Sequence, residues 1–95
     1  MNLEPIGPSR AFRGVNIMTQ EIVAYYRGAL GGRVVHVELS KETPPYWSQT
    51  VERDPAGGPL WGVTIKRPDG SLLDPDPSKV CHSEEETRAY LEALS

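Results

Sequence analysis

The last third of the chain constrains the fold most. A run over residues 60–67 and a shorter one over 71–73 are joined by Arg67-Pro68-Asp69-Gly70-Ser71. Pro68-Asp69-Gly70 suits a type I turn followed by a left-handed glycine, the three-residue solution for a β-hairpin. Within the first run Trp61, Val63 and Ile65 fall on one side and Thr64 and Lys66 on the other, the period of a half-buried strand. Asp74-Pro75-Asp76-Pro77 ends the second run. Ser83 then caps a helix, and Glu86 three residues later completes a capping box. Glu84, Glu85 and Glu86 sit at the positive end of the helix dipole. Thr87, Tyr90, Leu91 and Leu94 follow helical spacing and form its packing face.

Upstream, Ile22, Tyr25, Tyr26 and Ala29 also follow i, i+3, i+4, i+7 spacing. This predicts a helix over 18–30, capped by Thr19 and ended by Gly31-Gly32. Residues 33–40 alternate: Val35, Val37 and Leu39 on one side, Val34, His36 and Glu38 on the other, as a strand does. Thr43-Pro44-Pro45 breaks the chain, residues 46–53 read as another strand, and residues 54–59 as a loop. In residues 1–17, Pro5, Gly7, Pro8 and Gly14 interrupt any period, which predicts an irregular N-terminal arm.

The expected architecture is therefore an arm over 1–17 and a single α+β domain over 18–95. Its order is α-β-β-β-(β)-α, a small two-layer sandwich. Three or four antiparallel strands carry two helices on one face. At 95 residues the chain supports one modest core.

Cys81 is the single cysteine, which excludes an intrachain disulfide framework. The first twenty residues lack an apolar signal-peptide core, and no apolar stretch approaches the ~18–20 residues that span a bilayer. A cytoplasmic protein without membrane contact is expected. Net charge is −3. Residues 1–41 hold five basic against three acidic residues, and residues 42–95 five against ten. Neither half concentrates the several cations that tracking a phosphate backbone requires.

Candidate chemistry is sparse. Cys81-His82 places a thiol beside an imidazole, but neighbours on an extended segment point opposite ways. Two histidines and one cysteine, with no CxxC or HExxH, make no metal motif. Gly57-Gly58 is followed by Pro59 and a strand, where a phosphate loop needs a helix N-terminus. No catalytic residue, metal or cofactor is assigned. His36 and Glu38 share a strand face and would be the polar handles of a ligand cleft there. Arg10, Phe12 and Arg13 form an arginine-flanked aromatic on the arm. Tyr46 and Trp47 follow a proline pair, as in peptide-binding grooves and interface hot spots.

The order of elements over residues 18–95 resembles that of the double-stranded-RNA-binding domain. That family reads RNA through basic residues at the start of its last helix. Here that helix opens with Glu84-Glu85-Glu86, so the resemblance implies a fold and no functional residue.

The sequence thus points to a small non-catalytic binding or regulatory module that contacts another protein through Arg10, Phe12, Arg13, Tyr46 and Trp47. An unpaired sheet edge would also allow homodimerisation. Two alternatives remain. One is nucleic-acid binding by Arg10, Arg13, Arg27 and Arg33. The other is a small enzyme using Cys81 or His36.

Overall fold

The computed structural model describes residues 2–13, 20–42 and 60–94, and of Gln20 the backbone alone. The expected break at 43–45, the strand over 46–53 and the loop over 54–59 lie outside the described residues. So do Thr19, Tyr46 and Trp47.

Strands β1 (Glu4–Ile6), β2 (Gln20–Leu30), β3 (Arg33–Glu42), β4 (Leu60–Lys66) and β5 (Lys79–Cys81) form one antiparallel sheet, each beside the next in chain order. A 3₁₀ turn (Arg10–Phe12) follows β1. The helix α1 (Glu84–Ala93) is the one α-helix among the described residues. The expected pair of helices on a three- or four-stranded sheet is therefore corrected. Among the described residues the protein is mostly sheet, with five strands and a C-terminal helix.

The correction lies in β2. Its helical spacing coexists with an alternating pattern, and the strand uses the second. Ala24, Tyr26, Gly28 and Leu30 share the face of Leu39, Val37, Val35 and Arg33, their cross-strand partners. Ile22, Val23, Tyr25 and Tyr26 are β-branched or aromatic, which suits a pleated surface, and Gly28 would weaken a helix interior. Gly31-Gly32 decides the outcome. Their φ values are 60° and 78°, and Leu30 pairs with Arg33. Two left-handed residues between paired strands make a two-residue hairpin, not a helix stop.

The turn and the helix match the sequence, whereas β5, not the short strand expected over 71–73, pairs with β4 on the side away from β3. The Gly70 N–H donates to the Arg67 carbonyl at 2.8 Å, and the Arg67 N–H to the Ser71 carbonyl at 2.9 Å, closing the hairpin turn. Beyond it, Leu72 makes only an isolated bridge to Lys66. Ser83 accepts the Glu86 N–H at 3.1 Å, while the Glu86 carboxylate accepts the His82 N–H at 3.0 Å. These bonds satisfy orphan donors at the helix start.

The two faces of the sheet differ in kind. Val35, Val37 and Leu39 of β3 join Val63 and Ile65 of β4 under Leu91 of α1, with Tyr26, Leu30, Leu73, Tyr90 and Leu94 around them. This is the hydrophobic core, and each such side chain contributes roughly 1.5–3 kcal/mol when fully buried. The other face carries Tyr25, Arg27, His36, Glu38, Ser40, Gly62, Thr64 and Lys66. Ser9, Ala11 and Phe12 of the arm are buried there.

Gly62 stands opposite Ser40 on that second face. A Cβ at Gly62 would lie 2.8 Å from the Ser40 Oγ, inside van der Waals contact. Gly62→Ala should therefore destabilise the fold by about 1–3 kcal/mol, the usual cost of overpacking. Adding Ser40→Ala should recover much of that loss in urea denaturation. Equal stability of wild type and Gly62→Ala would show that the approach is not restrictive.

Candidate functional site

The second face is the candidate site, and it has two halves. In the first, β2, β3 and β4 bring Tyr25, Glu38 and Thr64 into one cross-strand row, and Arg27, His36 and Lys66 into the next. Glu38 is only 4% exposed. Burial pushes its carboxyl up from the ordinary value; the Lys66 charge and a hydrogen bond from the Tyr25 hydroxyl oppose the shift. Tyr25 is raised as well, first by burial and then by the Glu38 charge and hydrogen bond. The arm closes over this cluster. Ser9 Oγ lies 2.6 Å from His36 Nδ1 and accepts the Ala11 N–H at 3.2 Å. The Phe12 ring centroid is 5.9 Å from that of Tyr25, and the Lys66 ammonium is 5.3 Å from the Phe12 centroid.

The second half is a trough. Ile22, Ser40, Gly62 and Val80 form one row across β2, β3, β4 and β5. Ser40 and Gly62 make a low floor because neither has a bulky side chain. Val80, Thr64, Leu60 and Glu42 line a groove of about 290 Å³ above it. Ile22 is 39% exposed and Val80 45% exposed. A bulge at Val23 sits beside this row, since Ile22 pairs with Ser40 and Ala24 with Leu39. The bulge re-aims the end of β2.

The residues singled out in the sequence fall as follows. Phe12 is 5% exposed and packed against the sheet, while Arg10 and Arg13 on either side of it are exposed. Tyr46 and Trp47 lie outside the described residues. Arg27 pairs with Glu4 at 2.5 Å, both exposed. Arg33 lines an open cavity with Arg67, Asp69 and Asp74, so cations there alternate with carboxylates. Among the described residues no three His, Cys, Asp or Glu side chains are grouped to hold a metal ion. No described helix is long and apolar enough to cross a membrane.

Cys81 and His82 do not act as a pair. Cys81 is fully buried opposite Trp61 on the core side of the sheet, and His82 is exposed. Burial, then the Glu86 charge, pushes the thiol up, against a smaller opposing effect of Lys79. A thiol held protonated and out of solvent is a packing group.

Sequence reasoning reached His36 and Glu38 but missed Tyr25, Ser40, Gly62 and Val80. The misread helix hid Tyr25. A glycine inside an alternating run was the available signal for Gly62, because such a residue marks close approach. The chain matches no protein-family model, no curated protein and no solved structure.

Two measurements check the electrostatics. The native chain holds the Glu38 proton more tightly than the unfolded chain. Its contribution to stability is therefore present at low pH and is lost as pH rises from about 4.5 through the raised native value. The urea midpoint of wild type should fall relative to Glu38→Gln as pH rises above about 4.5. A constant gap between the two would remove the shift. Iodoacetamide should label Cys81 only in denaturant; native labelling at the rate of a free thiol would contradict its burial.

Proposed function

We propose that this protein is a non-catalytic binding module that contacts another protein through the sheet face opposite α1. The observation that carries this reading is the trough row. Two exposed apolar side chains, Ile22 and Val80, stand at the ends of a floor made by Ser40 and Gly62. Val80 also lines the groove of about 290 Å³, and a recess that can take a partner's side chain is a common mark of a contact site. Arg10 and Arg13 stand exposed on the turn that covers the other half of this face.

The face is favoured over the sheet edge. β1 is three residues long and contains Pro5, β5 is also three residues long, and β2 carries the Val23 bulge. Short edges, proline and bulges all discourage strand addition. Immediately before β5, the Ser78 hydroxyl accepts the Ile65 N–H at 3.0 Å, which occupies a ladder donor of β4.

The test compares wild type with the double variant Ile22→Lys/Val80→Lys as bait in nuclease-treated lysate. Both positions are exposed, so circular dichroism and melting temperature should change little. A stoichiometric protein held by wild type and lost by the variant is expected. Equal recovery by both, or recovery only of nucleic acid before nuclease, would overturn the reading.

A further inference from the structure

The half of the face beside the trough is filled by the chain's own residues Ser9–Phe12. The filling is specific. Ser9 meets His36 Nδ1 at 2.6 Å, and the Phe12 ring is set between Tyr25 and the Lys66 ammonium. Ala11 lies against the backbone-side position of Gly70, where an added Cβ would come within 3.4 Å of the Ala11 carbonyl oxygen. Ser9, Ala11 and Phe12 are all buried. Yet none of them belongs to the core cluster under α1, which lies on the opposite face. The segment continues from β1, but its own contacts are with this face, so its release need not unfold the core under α1.

We propose that this socket is a peptide-docking site occupied in cis. A partner segment with a hydroxyl residue followed three positions later by an aromatic residue, the pattern of Ser9 and Phe12, competes for it. This rests on the reading of the face as a protein-binding surface. The imidazole of His36 receives the hydroxyl, and Tyr25 with Lys66 receives the aromatic ring. A tethered occupant has an effective concentration on the order of millimolar. A partner therefore displaces the arm only when it also gains contacts in the adjoining trough. The arm acts as a threshold that an isolated short peptide does not cross.

The probe is a fluorescent, end-capped peptide of residues 8–13, Pro-Ser-Arg-Ala-Phe-Arg, titrated against the full chain. Phe12→Ala should bind it at least tenfold more tightly than wild type does. The same peptide with alanine in place of its phenylalanine should bind neither. Equal binding by wild type and variant, or no saturable binding by a folded Phe12→Ala chain, overturns the proposal. Hydrogen exchange on the wild-type chain provides a check should Phe12→Ala fail to fold. Amides of residues 11–13 should exchange at least tenfold faster than those of Val37 and Leu39; exchange at one common rate overturns it. A chain that captures a partner through Ile22 and Val80 but binds no peptide keeps the first reading and removes this one.

Discussion

The structure depends on a strand buried on both sides. β3 presents Val35, Val37 and Leu39 to α1, and Glu38 and Ser40 are buried on the other face. An apolar strand face needs only a cover. A buried carboxylate needs partners, because desolvation disfavours its charge. Tyr25 from β2 and Lys66 from β4 supply them, one from each neighbouring strand. The pairing register of three strands is thus fixed twice, by apolar alternation on one side and by the needs of Glu38 on the other. A slip of one residue would place Glu38 in the core. The arm completes this arrangement by covering the polar cluster with Phe12.

Much of the carboxy-terminal half was legible. The Ser83 cap, the Thr87–Leu94 packing face and the turn at Gly70 each rest on local chemistry that the sequence states directly. β3 was legible for the same reason. β2 was not, because Ile22, Tyr25, Tyr26 and Ala29 satisfy a helical reading while Ala24, Tyr26, Gly28 and Leu30 alternate as a strand requires. What resolves the ambiguity is β3 lying alongside, a tertiary fact. Gly31-Gly32 serves equally as a helix stop and a hairpin turn, and only φ distinguishes them. The extended pairing of Glu4–Ile6 with β2 has no period to announce it across three residues.

The candidate site shows the same division. His36 and Glu38 could be named because they share one strand. Tyr25, Lys66, Ser40, Gly62 and Val80 come from four strands and meet only through register. Phe12 drew attention as an aromatic between arginines, and its burial gives it a different part, that of a cover. Cys81 drew attention as a rare nucleophile, and its place beside the core makes it filling.

The two faces also differ in charge. α1 carries Glu84, Glu85, Glu86 and Glu92 outward, with Arg88 tied to Glu84 at 2.9 Å. The opposite face holds Arg10, Arg13 and Lys66. That face also holds Glu38 and Glu42, and the α1 side Lys41 and Lys79, so the feature a partner meets is the local field of the exposed Arg10 and Arg13. An acidic surface approaching the turn that carries them is drawn to it before the two touch. This field acts over a screening length of about 8 Å at physiological salt. Salt should therefore slow encounter more than it weakens the contact once made.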